Sequence, residues 1–68
     1  MRAFFIGIGG IGVSALVRYY LSQGWEVFGS DLAESEIAKD LKEIGARIFI
    51  KKTANLKKIA PDLVIYSL

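Results

Sequence analysis

The sequence predicts an α/β fold in which a parallel sheet of about four strands, in the order 3-2-1-4, is flanked by helices. Three observations lead to this prediction. The chain opens with a continuous apolar run that breaks into a cluster of glycines. Strand-like and helix-like patterns then alternate along the rest of the sequence. The connections between successive strands are too long for hairpins, so right-handed crossovers and a parallel sheet are expected.

The first strand and the first helix lie on either side of the glycine cluster. Residues Ala3–Ile8 are continuously apolar, as expected of a strand covered on both faces. A helical pattern follows as far as Gln23, and Gly24 is a natural residue to end it. The apolar side chains that recur at helical spacing are Ile11, Ala15, Leu16 and Tyr19. We expect the aromatic side chains Tyr19, Tyr20 and Trp25 to lie in the core or at its flank.

A second strand and helix follow in the same order. Residues Trp25–Gly29 form a short apolar strand, after which the chain leaves the sheet. Ser35 is a suitable N-cap for the next helix, Glu36 suits its positive end, and Gly45 closes it. One face of this helix carries Ile37, Leu41 and Ile44.

The remaining residues predict one more helix between two strands. Residues Arg47–Ile50 form the third strand, residues 53–60 a short helix that Pro61 ends, and residues 63–67 the fourth strand. The side chains of that helix expected to face inward are Leu56 and Ile59. Because no repeat or low-complexity segment interrupts the alternation, we place no domain boundary inside the chain.

The composition is that of a globular protein and excludes several functional classes. Hydrophobic residues make up 53% of the chain and charged residues 24%, which excludes intrinsic disorder. The net charge of +2 comes largely from four lysines near the carboxyl end, without the broad basic face of a nucleic-acid-binding module. The uncharged stretch 3–17 is too short to span a bilayer. With no cysteine and no targeting segment, we expect a cytoplasmic protein that binds neither nucleic acid nor membrane.

The length of 68 residues is small for the predicted fold. A doubly wound nucleotide-binding domain usually needs at least ~100 residues, and residues 62–68 read as a strand that nothing follows. We therefore expect a fragment of a larger multidomain protein, with residues 1–68 forming one truncated domain. An uncovered edge of such a sheet could pair with a second copy.

The glycine cluster predicts a phosphate-binding turn. Gly7, Gly9 and Gly12 form a G-x-G-x-x-G pattern, with Gly10 between them, where a strand must reverse into a helix. The helix that starts there directs unpaired N–H groups and a partial positive charge at whatever lies above it, which suits a diphosphate. A Cβ at Gly12 is expected to block close packing of helix on strand and to crowd the phosphate. Alternatively, the glycines serve a tight turn only.

An acidic residue stands where such folds hold a ribose. Asp31 follows the second strand, 19 positions after Gly12. In this fold a carboxylate at that place can accept hydrogen bonds from ribose hydroxyls. A 2′-phosphate is disfavoured there because two negative groups would share one place. The alternative is that Asp31 is a solvated carboxylate that stabilises a loop.

Other polar residues are candidates for the same edge of the sheet. Ser14, in the first turn of the first helix, either adds a donor to a phosphate or satisfies the helix terminus. Ser30 and Ser67 end the second and fourth strands and could touch a base or a sugar, although strand-end serines are more often turn residues. Lys51 and Lys52 could reach a phosphate or a carboxylate, but a solvated charge pair is the preferred interpretation.

The chain offers no catalytic constellation. It contains no histidine, no cysteine and no G-x-x-x-x-G-K-[ST] loop for ATP. We predict a binding domain with no catalytic residue and no metal ligand of its own.

Several stretches carry a family resemblance: FFIGIGGIGVSAL, then LSQGWEV, then FGSDLAESEIAKDLKEIGARIFI. They resemble the amino-terminal domain of the Mur ligases, and within that family the members that join L-alanine to UDP-N-acetylmuramate. The resemblance covers nearly the whole chain. The pairing of GIGGIG with GSD is more specific than the glycine pattern alone.

The resemblance implies a Rossmann-like domain that holds the UDP part of UDP-N-acetylmuramate, in an enzyme of peptidoglycan synthesis whose other domains bind ATP and the amino acid. Such enzymes use ATP and magnesium to activate the muramyl lactyl carboxylate as an acyl phosphate, which the amine of L-alanine attacks. The fragment itself would bind no cofactor. Carried over by position, the donors to the diphosphate would be Gly9, Gly10, Ile11 and Gly12. The residues bordering the uridine would be Ser30, Asp31 and Leu32, with Ser67 near the same crevice.

One departure from the family pattern follows the third strand. Where these ligases often carry a Gly-His pair, this chain has Lys51 and Lys52, although Ala54, Asn55 and Leu56 continue the pattern. Two other functions would fit the same glycine turn and Asp31. One is an NAD-binding domain of an oxidoreductase, and the other is a non-enzymatic nucleotide-sensing module that changes assembly on binding its ligand.

Overall fold

A computed structural model describes residues 1–66, and it confirms the predicted α/β class. The elements are β1 (Arg2–Ile6), α1 (Ile11–Ser22), β2 (Glu26–Asp31), α2 (Glu36–Glu43), β3 (Arg47–Ile50), α3 (Leu56–Ile59) and β4 (Leu63–Tyr66). All neighbouring strands are parallel, and their order is β3-β2-β1-β4, as predicted. Ser67, expected at the end of the fourth strand, lies outside the described residues.

The order of the strands decides which face each helix covers. The chain runs from β1 through β2 to β3 in one direction and then returns to the other side of β1 as β4. Right-handed crossovers therefore place α1 and α2 on one face of the sheet and the β3–β4 connection on the other. The strand order reverses at β1, and open α/β sheets bind their ligands at such a point.

The core lies between the sheet and the two longer helices. Ala3 and Phe5 of β1 are fully buried together with Val17 of α1 and Leu41 of α2. On the opposite face of the same strand, Phe4 is only 2% exposed. The first strand is therefore covered on both faces, which is what its continuous apolar run predicts.

The buried face of α1 is not the one that the recurring apolar residues mark. Val13 and Val17 are buried, whereas Ile11 is 83% exposed and Tyr19 is 55% exposed. Leu16 and Ala15 are exposed as well. The recurrence correctly predicted a helix, but only packing on the sheet determines which of its apolar stripes turns inward.

The aromatic side chains expected at the core do cluster there. The ring centroids of Tyr20 and Trp25 are 4.7 Å apart, and both side chains pack against the core. Tyr19 lies on the solvent side of Tyr20 and meets it edge to face, with the two ring centroids 5.3 Å apart. This cluster covers the carboxyl-terminal end of α1.

The predicted helix ends are confirmed in detail. Gly24 has φ of +82° and Gly45 has φ of +120°. Each follows a helix whose last carbonyls accept two hydrogen bonds donated by amides of the turn. These are Schellman turns, in which glycine takes the left-handed position without strain. At the start of α2, Ser35 Oγ accepts a hydrogen bond from the Ala38 amide at 3.1 Å, so Ser35 is the N-cap. Ile44, expected on the inner face, is instead exposed just beyond the helix.

The first two strands each start one residue away from the predicted position, and their ends differ by two residues. β1 ends at Ile6 because Gly7 adopts φ of +79°, and the amides of Gly7 and Ile8 both turn to the carbonyl of Ser30. β2 continues to Asp31, two residues beyond the predicted end, because Asp31 still pairs with Ile50 of β3. Both differences bring the glycine turn and the end of β2 together.

The last helix is shorter than predicted. It begins after Asn55, whose side chain accepts from the Lys58 amide at 3.2 Å, and ends at Ala60, which has φ of +50°. Ile59 is partly buried, but Leu56 remains 42% exposed, contrary to expectation. Arg2 ties this helix to the sheet by donating to the Ile59 carbonyl at 2.7 Å.

Candidate functional site

A cleft lies at the carboxyl ends of β1, β2 and β3. It has a volume of about 630 Å³. Its lining residues are Ile6 and Gly7 from the first strand end, Ser30, Asp31 and Leu32 from the second, and Lys51, Lys52 and Thr53 from the third. Most of these residues were singled out from the sequence, whereas Ile6 and Thr53 were not. Their place directly before the glycine turn and after the third strand is the signal that could have found them.

The amino end of α1 has unpaired donors beside this cleft. Its N-cap is Gly10, so no side chain caps the helix, and its first turn holds no acidic residue. The Gly10 amide donates to the Gly7 carbonyl at 3.0 Å, and the Val13 and Ser14 amides turn back to the Gly10 carbonyl. Among the hydrogen bonds of residues 1–66, none is donated by the amides of Ile11 or Gly12. These two amides, at the positive end of the helix dipole, are available to an anion.

Asp31 reaches across to the glycine turn. Its Oδ2 accepts a hydrogen bond from the Gly9 amide at 2.7 Å, and its Oδ1 accepts one from the Leu32 amide at 2.7 Å. A Cβ on Gly9 would lie 2.6 Å from Asp31 Oδ2. The Gly9 amide is therefore engaged by Asp31, and among the hydrogen bonds of residues 1–66 the amides of Ile11 and Gly12 are the two expected diphosphate donors without an acceptor.

The glycines of the turn have different physical roles. Gly7 has a left-handed φ that favours glycine, and Gly9 makes room for Asp31. A Cβ on Gly12, by contrast, would meet no atom of residues 1–66 within 4 Å outside its chain neighbours and its own helix backbone, so the expectation that Gly12 permits close packing of helix on strand is wrong. Gly29 instead allows the turn that follows β1 to pack closely on β2, because a Cβ there would lie 2.5 Å from Ile8 Cδ1.

The predicted serines differ in their surroundings. Ser14 Oγ donates to the Ile11 carbonyl at 2.9 Å, so its proton satisfies the helix rather than a ligand. Ser30 lines the cleft, and its carbonyl accepts the amides of Gly7 and Ile8 at 2.9 and 3.1 Å. Ser67 lies outside the described residues.

Lys51 and Lys52 line the same cleft as Asp31 and Leu32. Both lysines are exposed, and the ion pairs of residues 1–66 involve other side chains, Arg2 with Glu26 and Lys42 with Glu34. Lys51 adopts φ of +55°, and its amide donates to the Asp31 carbonyl at 3.0 Å. Two unpaired positive charges against one carboxylate favour a negatively charged ligand in the cleft.

The left-handed backbone of Lys51 can be tested by substitution. We expect Lys51→Gly to raise the free energy of unfolding by about 0.5–1 kcal/mol, because glycine avoids the 1–2 kcal/mol of left-handed strain but loses more chain entropy on folding. Lys52→Gly is the matched control, since Lys52 lacks the left-handed φ and its replacement should be neutral or destabilising. Urea denaturation of both variants measures the difference, and equal effects would contradict the assigned strain.

The described residues hold the elements of a binding site. In residues 1–66, no group of three or more acidic, histidine or cysteine side chains converges as metal ligands would. No helix in that range has the length and apolarity needed to cross a membrane. The arrangement of open amides, cleft and lysines is suited to holding an anionic ligand.

Comparisons with known proteins agree with this architecture. The family model described as "Mur ligase family, catalytic domain" matches residues 3–67. The chain is 46% identical over 63 residues to a "UDP-N-acetylmuramate--L-alanine ligase" of Hydrogenobaculum sp. and 51% identical over 65 residues to one of Campylobacter jejuni. In both cases the match covers 93% of this chain and 14% of the relative.

A solved structure shows the same likeness in three dimensions. The crystal structure of a UDP-N-acetylmuramate-alanine ligase from Thermotoga maritima superposes with a TM-score of 0.82 at 39% sequence identity. The match covers 97% of this chain and 15% of that one. The chain thus spans about one seventh of the length of the relatives that it matches.

Proposed function

Because this chain belongs to the Mur ligase family, we propose that it is the UDP-N-acetylmuramate-binding domain of an ATP-dependent ligase that joins L-alanine to that nucleotide sugar in peptidoglycan synthesis. The observation that carries the proposal is the uncapped amino end of α1 beside the cleft. The amides of Ile11 and Gly12 donate no hydrogen bond within residues 1–66, and the first turn of the helix holds no acidic residue. Such a helix start is suited to a diphosphate.

The proposed orientation of the ligand follows from this anchor. With the diphosphate at the amides of Ile11 and Gly12, the uridine extends into the cleft beside Ser30, Asp31 and Leu32. The exposed side chain of Leu32 offers an apolar surface to the base. Lys51 and Lys52, which line the same cleft, would add positive charge to it.

Gly12 gives the most direct support for the proposed position of the ligand. The described part of the chain has room for a larger residue here, since a Cβ would meet none of its atoms within 4 Å outside the chain neighbours and the helix backbone. Packing therefore does not explain a glycine at this position. Close approach of a ligand to the helix start does explain it.

We assign the chemistry of the proposed reaction to other parts of a longer, cytoplasmic protein. The sequence has no ATP-binding G-x-x-x-x-G-K-[ST] loop and no histidine or cysteine, so ATP, magnesium and the amino acid would bind in further domains. This domain would hold the nucleotide end of the substrate while its lactyl carboxylate is activated and attacked elsewhere. It would not be catalytic alone.

The reading frame of the gene tests the proposed domain organisation. We expect the coding sequence downstream of Leu68 to encode a Gly-Lys-Thr phosphate loop within the next domain. Sequencing of the gene and its transcript determines this directly. A longer reading frame without such a loop would contradict the ligase assignment.

Ligand preference tests the proposed function of the domain itself. We expect titration calorimetry, or NMR of the labelled protein, to show binding of UDP-N-acetylmuramate in preference to NAD, because the cleft would accommodate one uridine and a diphosphate. UDP is the matched control, since it retains the diphosphate and nucleoside without the sugar. Preferential binding of NAD would overturn the proposal in favour of an oxidoreductase domain.

A further inference from the structure

We propose that Asp31 is a positioning residue, whose carboxylate holds the glycine turn in place so that the amides of Ile11 and Gly12 point at the diphosphate. This inference rests on the proposed function and assigns the residue a different task from that expected of it. In the sequence, Asp31 stands where a carboxylate accepts hydrogen bonds from ribose hydroxyls. In the structure, both of its oxygens are already engaged by backbone amides.

Three successive amides attach the turn to the end of β2. The amides of Gly7 and Ile8 donate to the carbonyl of Ser30 at 2.9 and 3.1 Å. The next amide, that of Gly9, donates to Asp31 Oδ2 at 2.7 Å. The first two contacts end β1, whereas the third fixes the part of the turn that leads into α1. Because its acceptor is ionised, the third is also the strongest type of hydrogen bond among them.

Asp31 can hold the turn because its own backbone is fixed against the end of β3. It pairs with Ile50 in the sheet, and its carbonyl accepts the Lys51 amide at 3.0 Å. Its second carboxylate oxygen is tied to the Leu32 amide at 2.7 Å. The glycine turn has few side chains to anchor it, so this contact with a rigid strand end takes their place.

The space around Gly9 shows how closely the carboxylate fits. A Cβ on Gly9 would lie 2.6 Å from Asp31 Oδ2 and 3.1 Å from Ser35 Oγ. Ser35 Oγ itself is engaged as the N-cap of α2. The carboxylate beside position 9 therefore explains the glycine there. The proposed ligand, rather than packing, explains the glycine at position 12.

The charge and the hydrogen bond of Asp31 act in opposite directions on an anionic ligand. A carboxylate near a diphosphate repels it, whereas the hydrogen bond to Gly9 shapes the site that binds it. Asp31→Asn removes the charge and keeps one oxygen that can accept from the Gly9 amide, while its side-chain NH2 takes the place of the oxygen that accepts from the Leu32 amide. Asp31→Ala removes both the charge and the accepting oxygen, so the comparison of these two variants isolates the hydrogen bond.

The experiment measures binding of inorganic pyrophosphate, which has no ribose, to the wild-type chain and both variants. We expect Asp31→Asn to bind pyrophosphate at least as tightly as wild type and Asp31→Ala to bind it roughly three- to tenfold more weakly than Asp31→Asn. Asp40→Asn, which removes the same charge from an exposed position on α2, should leave the affinity within about twofold of wild type. Equal binding of pyrophosphate to Asp31→Asn and Asp31→Ala would overturn the inference.

Two further measurements separate this inference from its alternatives. If Asp31 acts through the turn, Asp31→Ala weakens the binding of UDP and the binding of 2′-deoxy-UDP by the same factor. A loss of discrimination between the two nucleotides in Asp31→Ala would instead show a direct ribose contact and overturn the positioning role.

Amide hydrogen exchange at Gly9, measured without ligand, should be slow in wild type and Asp31→Asn and fast in Asp31→Ala. Failure of wild type to bind UDP would overturn the proposed function, while the exchange at Gly9 still determines whether Asp31 holds the turn.

Discussion

Gly29→Ala is expected to lower the free energy of unfolding by about 2–3 kcal/mol, which is the upper part of the range for overpacking a core. Gly29 is buried in β2, and Ile8 lies directly over it with no exposed surface. An added Cβ would lie 2.5 Å from Ile8 Cδ1, 2.8 Å from Ile8 Cβ and 3.0 Å from the Phe5 carbonyl oxygen. Since a core of this size supplies only about 3–5 kcal/mol, the substitution removes roughly half of the stability or more.

The neighbour that must move provides the control for this prediction. Ile8→Val removes the closest atom, Cδ1, and alone should cost about 0.5–1.5 kcal/mol. The double variant with Gly29→Ala should then be more stable than the sum of the two single changes predicts. Urea denaturation followed by circular dichroism measures all three variants. A Gly29→Ala protein within about 0.5 kcal/mol of wild type would contradict the packing assigned to this strand.

Gly12→Val is expected to abolish most of the ligand affinity while the fold is retained. Apart from its chain neighbours and its own helix, a Cβ at position 12 would have no atom of residues 1–66 within 4 Å, so the new side chain is expected to displace the ligand rather than the core. Losing the approach of a diphosphate to the Ile11 and Gly12 amides should weaken UDP binding at least roughly tenfold, the equivalent of one charge-assisted hydrogen bond. UDP titration and thermal unfolding, measured on the same preparation, test both parts.

A second valine on the same helix controls for the effect of valine itself. Ala15 is an exposed residue of α1, one turn beyond the glycines. Ala15→Val should cost a few tenths of a kcal/mol in helix propensity, roughly as any exposed helical valine does, and leave UDP affinity unchanged. Full affinity for UDP in Gly12→Val would show that the diphosphate lies elsewhere.

The periodicity and turn residues of the sequence were sufficient to predict the order of the elements. The apolar run before Gly7 predicted a strand buried on both faces, and Phe4 and Phe5 are buried on opposite sides of it. Gly24 and Gly45 marked the helix ends because a left-handed φ is needed there and glycine adopts it without strain. Such signals are local, so they can be read without knowledge of the tertiary structure.

Which apolar residues face the core was predicted less well. The recurrence at helical spacing marked Ile11 and Tyr19 and did not mark Val13 and Val17, yet only the valines are buried. Leu56 is exposed for a related reason, since α3 is a single short turn that begins only after Asn55. Burial depends on how a helix is rotated against the sheet, and residues distant in the chain determine that rotation.

The sequence predicted which residues would come together at the candidate site, but it did not predict the contacts between them. The glycines and Asp31 were placed at one edge because parallel strands end together. The sequence did not indicate that Asp31 accepts the Gly9 amide at 2.7 Å, or that Gly29 rather than Gly12 allows close packing. Both contacts join residues about 20 positions apart across two strand ends, and a pattern of residue types specifies no such distance.

By itself, the sequence determined the alternation of strands and helices, the parallel sheet and the glycine turn at its carboxyl edge, because each follows from side-chain periodicity and backbone freedom within a few residues. Only the tertiary structure decided which amides of that turn are engaged by Asp31 and which remain unpaired. That decision depends on hydrogen-bond geometry between β1, β2 and α1, and such geometry exists only once the strands have paired.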